Sequence, residues 1–100
     1  MTLNPTARVT ARRNVVDRFY RFLNGLERAR RQPNRRELFW LRQALASLDN
    51  ADYPEGEDAM DKAERGLPVP EHAANDPSTN ADVTLEQLRS QLDQVLKAGP

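Results

Sequence analysis

Seven carboxylates crowd the stretch from Asp49 to Glu64: Asp49, Asp52, Glu55, Glu57, Asp58, Asp61 and Glu64. Such density suggests a hard cation, because calcium is held by carboxylate and carbonyl oxygens. The EF-hand loop, however, needs a glycine and a closing glutamate at fixed offsets, and neither stands where required. A solvated acidic face accounts for the run. His72 is the only histidine, and it lies in a proline-rich stretch with no serine near enough for a dyad. The absence of cysteine excludes disulfides, thiolate zinc sites and cysteine nucleophiles. The four glycines are scattered, so no phosphate-cradling loop is present. The expectation is a non-enzymatic protein with no catalytic, metal or cofactor-binding residues.

The other chemistry is cationic. The stretch "ERARRQPNRRELFW", residues 27–40, packs five arginines around a proline and runs into Phe39 and Trp40. Net charge over the whole chain is zero, but residues 1–47 hold eleven arginines against Asp17, Glu27 and Glu37, a balance of +8. Residues 48–100 hold four cations against twelve acids, a balance of −8. Such asymmetry points to a nucleic-acid face, an interaction tail, or two halves that pair with each other. At 100° per residue, Arg13, Arg18, Arg21, Arg28 and Arg31 share one face of a first helix, and Arg35 and Arg36 open a second. Cations at a helix start oppose the helix dipole, so either an external anion or the chain's own acids must compensate. Nucleic acid would bind this face through phosphates. A chain that binds nucleic acid is usually basic overall, which ranks self-pairing or a protein partner higher.

These side chains need helices to hold them. A first helix is predicted from Asn4-Pro5 to near Arg31, ahead of Pro33. Its apolar face is Val9, Val16, Phe19, Tyr20, Leu23 and Leu26, widened by Val15, Phe22 and Ala29. Arg12 and Arg30 fall inside that arc and must snorkel or meet an acid. A second helix is expected over about 35–49, with Asn34 and Glu37 forming a capping box. Leu38, Leu41, Leu45 and Leu48 make its stripe, with Trp40 at the border and Phe39 well outside it. A third is expected over about 54–65, with Pro54 in its first turn and Gly66 as its stop. Gly56 costs that helix some stability. Residues 68–83, "PVPEHAANDPSTNADV", read as a mobile linker. Thr84, with Gln87, caps a fourth helix whose stripe is Leu85, Leu88, Leu92, Val95 and Leu96. At about 13 residues that helix is marginal alone in water and must dock on something.

Residues 37–70 resemble a single tetratricopeptide repeat. Trp40, Ala44, Gly56, Met60, Ala63 and Pro68 match that motif's aromatic, small, small, bulky, alanine and proline positions in order, and "ADYPEG" stands at its turn. Gln43, Ser47 and Glu64 depart from it, and no second copy follows. The resemblance covers about a third of the chain. It implies an antiparallel helical hairpin and, through that family's usual role, the holding of peptides or partner helices.

The expected architecture is all-α: a helical core domain over 1–67, a linker over 68–83 and an amphipathic C-terminal helix over 84–98. The expected function is protein–protein interaction, as an adaptor, inhibitor or regulator, with Phe39, Leu85, Leu88, Leu92 and Leu96 as partner-binding residues. The alternative is a nucleic-acid-binding regulator that uses Arg13, Arg18, Arg21, Arg28, Arg31, Arg35 and Arg36 while its acidic half engages a protein. Homo-oligomerisation through the C-terminal helix is open. With no long apolar run, no membrane partner is expected, and the cytoplasm is the default location.

Overall fold

Proline in the first turn and an unbroken run of apolar residues three and four apart make α1, Pro5–Arg28, the longest helix of the computed structural model, which describes residues 5–74 and 83–98. α2 is Arg35–Asp49 and α3 is Tyr53–Arg65. A single 3₁₀ turn, Glu71–Ala73, follows, and α4 is Leu85–Lys97. Every regular element among the described residues is helical, so the fold is all-α.

Both expected capping boxes form. The Asn34 side chain accepts from the Glu37 amide at 2.9 Å while the Glu37 carboxylate accepts from the Asn34 amide at 2.8 Å. Thr84 and Gln87 repeat the arrangement at the start of α4. Each box satisfies two of the amides that a helix start leaves without partners.

Three helix ends close with the same pair of backbone bonds. After α1, the Arg30 and Arg31 amides donate to the carbonyls of Glu27 and Leu26, both at 3.0 Å. After α2, Ala51 and Asp52 donate to Leu48 and Ser47, and after α3, Gly66 and Leu67 donate to Ala63 and Lys62. This motif needs one left-handed residue. That residue is Arg30 (φ 53°), Ala51 (φ 57°) and Gly66 (φ 66°), so only the third stop uses glycine. The first helix therefore ends three residues earlier than Pro33 alone suggests, and Arg30 lies beyond it on the exposed turn rather than in the apolar arc. A left-handed L-residue costs about 1–2 kcal/mol, partly offset by the greater unfolded-state freedom of glycine. Arg30→Gly should therefore raise stability by about 0.5–1 kcal/mol, seen as a higher melting temperature. A lower one would show that the Arg30 side chain contributes more than its backbone strain removes.

The helix directions follow from cross-contacts. Val15 lies beside Gly56, and Phe22 with Leu26 beside Ala63, so α1 and α3 run parallel. Tyr20 meets Asp93 and Glu27 meets Arg89, so α4 runs antiparallel to α1. α2 pairs with α3 as an antiparallel hairpin and also packs on α1 and α4. The Trp40, Ala44, Gly56, Met60 and Ala63 positions of the repeat-like segment are all buried, whereas Pro68 is exposed.

The core is one cluster. Val15, Phe19, Leu23 and Leu26 from α1 meet Leu38, Leu41, Ala44, Leu45 and Leu48 from α2, and Tyr53, Ala59, Met60 and Ala63 from α3. Leu85, Leu88 and Leu92 belong to the same cluster. The boundary expected at Leu67 thus does not enclose the whole core, because α4 completes it. Its start is tied down as well, with the Leu85 amide donating to the Gln32 side chain at 2.7 Å.

Two expectations are corrected by packing. Val9 is not on the core: it is 58% exposed. Ten residues of α1 precede Val15 but only three of α3 precede its neighbour Gly56. About seven residues of α1, roughly 10 Å at 1.5 Å per residue, therefore overhang the α3 start. The expected linker is also anchored over its first half. The Trp40 indole donates to the Leu67 carbonyl at 3.0 Å, the Arg35 guanidinium to the Ala74 carbonyl, and Ala73 is buried. The remainder, residues 75–82, lies outside the described residues.

Candidate functional site

The expected basic face is divided by its partners. Arg18 reaches across to α3 and grips Glu64 with two nitrogens at 2.6 and 3.0 Å, and donates to the Glu57 carbonyl at 3.2 Å. The Glu64 hydrogen bonds, against a smaller opposing effect of burial, hold its guanidinium still more firmly protonated. Arg31 makes the same two-pronged contact with Glu37 at 2.7 and 2.8 Å. Burial pushes the Glu37 carboxyl up, but the Arg31 hydrogen bonds, the Asn34 amide and the Arg31 charge together bring it below its ordinary value. Glu37 therefore serves as cap and counter-ion at once, and stays ionised.

Arg35 and Arg36 receive their compensation from backbone. Arg35 donates to the Ala74 carbonyl, and Arg36 approaches the Gly66 carbonyl at 3.5 Å, at the negative end of α3. No external phosphate is required to hold these two cations at the start of α2. In the reverse sense, Arg89 of the acidic half donates to Asn24 at 3.0 Å and Glu27 at 2.9 Å on α1. Arg21 only contacts the Asp17 carbonyl, at 3.5 Å, and it is exposed along with Arg13 and Arg28.

The expected partner-binding stripe is corrected. Leu88 and Leu92 are 0% exposed and Leu85 is buried, all against α1 and α2, while Leu96 is half-buried at the edge. A second copy or a partner cannot reach that stripe while α4 is docked. Phe39 is half-buried and stands edge-on to Trp40, ring centres 4.7 Å apart at 85°. Trp40 is a core residue, with the Lys62 ammonium 4.9 Å over its ring. Trp40 is thus not free to stack on a base.

The geometry singles out a place that periodicity alone missed, the overhang of α1 and the half-turn that follows it. Arg8 and Arg13 are exposed and Arg12 is half-buried, with Val9 between them. None of the three arginines takes part in an ion pair among the described residues. The first turn has no acid to soften its charge. The signal was present in the wheel: Arg8 and Arg12 occupy the meridian of Val15, Phe19 and Leu26, where a fully packed helix would carry apolar residues. A core stripe that turns into arginines has left the core.

Among the described residues no three His, Cys, Asp or Glu groups come together to hold a metal ion. His72 is exposed on the 3₁₀ turn. Among the described residues no helix is long and apolar enough to cross a membrane. No protein-family model, curated protein or solved structure matches this chain.

Proposed function

We propose that the chain is a small non-enzymatic protein–protein interaction module, an adaptor, inhibitor or regulator of another protein chain. The observation that carries this reading is the α1 overhang. Val9, the one exposed large hydrophobic among the described residues, sits there within a group of arginines that pair with no acid among the described residues. An apolar anchor ringed by arginine has the composition of a protein interface, where arginine is enriched and lysine depleted. The likeness of residues 37–70 to a tetratricopeptide hairpin adds support, since such hairpins hold peptides and helices.

The nucleic-acid alternative loses ground to the same geometry. Arg18 and Arg31 already face carboxylates, and binding phosphate there would first require breaking those pairs. The test is fluorescence anisotropy with labelled duplex DNA and single-stranded RNA at physiological salt. Weak binding that disappears as salt rises is expected, because phosphate contacts alone are steeply salt-dependent. Tight binding that is lost on reversing Arg13, Arg21 and Arg28 would overturn the protein-binding reading.

A further inference from the structure

The overhang does not stand alone at its end of the molecule. α1 and α3 are parallel, while α2 and α4 run the other way, so the start of α1, the end of α2, the start of α3 and the end of α4 lie together. Asp49 closes α2, Asp52 precedes α3 and Glu55 lies in its first turn. All three are exposed, and none takes part in an ion pair among the described residues. The Asp52 side chain does not even cap its own helix. The same end thus carries three open cations on a projecting helix and three open anions on the α2–α3 turn. Beside the anions a groove lined by Leu45, Ala46, Asp49 and Val95 opens between α2 and α4.

We propose that this end is the interface of a symmetric homodimer, in which Arg8, Arg12 and Arg13 of each copy dock on Asp49, Asp52 and Glu55 of the other. The proposal rests on the protein-binding reading and names the partner as a second copy. Charge complementarity selects that occupant: the three arginines of one copy match the three acids of the other, and both sets travel on every copy. Their position on one end decides the symmetry. A patch and its complement on opposite ends would build an open filament, whereas both on one end close on themselves about a two-fold axis. Val9, beside the arginines, supplies the apolar anchor, and the α2–α4 groove of the second copy, which includes Asp49, receives it. Burying Val9 against Leu45 and Val95 adds the short-range energy that charges alone lack, since charged pairs mainly steer and orient an encounter.

The experiment is sedimentation velocity on the full chain across the micromolar range, at low and at high salt. A reversible dimer that weakens with salt is expected. Arg8→Glu/Arg12→Glu/Arg13→Glu should weaken it by roughly a hundredfold or more, because like charges then face each other. Asp49→Lys/Glu55→Lys, which leaves Asp52 at the α3 start undisturbed, should do the same. Circular dichroism would confirm that both variants fold. Mixed in equal amounts, the two variants should form a heterodimer, because opposite charges again face each other at every position but Asp52. A wild-type chain that stays monomeric throughout, or two monomeric variants that fail to associate when mixed, would overturn the dimer. If the wild type is monomeric and shows no tight nucleic-acid binding, the dimer alone fails. If it is monomeric and binds oligonucleotide tightly through its arginines, the protein-binding reading fails with it.

Discussion

A chain that ends at Leu67 is expected to lose cooperative thermal unfolding and to bind an apolar dye. Such a truncation removes α4 and uncovers the ground on which Leu85, Leu88 and Leu92 sit, two of them fully buried. Burying a leucine contributes about 1.5–3 kcal/mol, so the three together contribute on the order of 6 kcal/mol. A domain of this size has only about 5–15 kcal/mol of net stability, so the loss is comparable to the whole. The truncation also removes the Arg35 contact to the Ala74 carbonyl and the Arg89 contacts to Asn24 and Glu27. Leu92→Ala in the full chain gives the milder version, with an expected loss of about 2–5 kcal/mol. Circular dichroism and calorimetry on both chains check this. A sharp transition retained in the truncated chain would show that α1, α2 and α3 form a sufficient core and that α4 only decorates it.

Gly56→Ala should be destabilising by about 1–3 kcal/mol, although alanine is the better helix former by roughly 1 kcal/mol. A methyl group at position 56 would overlap the Ser47 hydroxyl and press on both Val15 methyls, at 3.1 and 3.2 Å. None of these can easily give way. Val15 is fully buried, and Ser47 is buried with its hydroxyl donating to the Ala44 carbonyl at 2.6 Å. Gly56 is thus where three helices meet: α1 through Val15, α2 through Ser47, and α3 itself. Combining it with Ser47→Ala removes the overlapping oxygen, so the double variant should recover much of the loss. Urea melts of the two single variants and the double form a cycle that isolates this coupling. A stabilised Gly56→Ala chain would mean the helices can part at small cost.

Much of the helical frame was legible. Asn34 with Glu37 and Thr84 with Gln87 marked two helix starts, and Gly66 marked a stop, because capping chemistry is local and needs no knowledge of the neighbours. The leucine stripe of α2 was legible for the same reason. What was hidden depended on which neighbour each face meets. Val9 has the right period for the core, but no helix extends far enough to cover it. Gly56 reads as a weak point in α3 until Ser47 and Val15 are placed against it. Arg30 gives no hint of a left-handed stop, since that role normally falls to glycine. The prolines of 68–70 suggest a free linker, and only the Trp40 and Arg35 hydrogen bonds and the burial of Ala73 show the chain held against α2. For the candidate site, the charge asymmetry was visible at once. Which arginines stay open was not, because Glu64 lies 46 residues from the Arg18 it neutralises.

Residues 67–74, held across α2 as a strap by Trp40 and Arg35, also make the molecule its own optical gauge. The chain has a single tryptophan, so all indole emission comes from one place. That indole touches three separate parts of the fold: the Leu67 carbonyl through its N–H, the Lys62 ammonium over its face, and the edge of Phe39. Release of the strap, fraying of α3 and a shift along α2 would each change the polarity or quenching around the ring. The wavelength of that one fluorophore therefore reads the joint between hairpin and strap in solution, with no label attached.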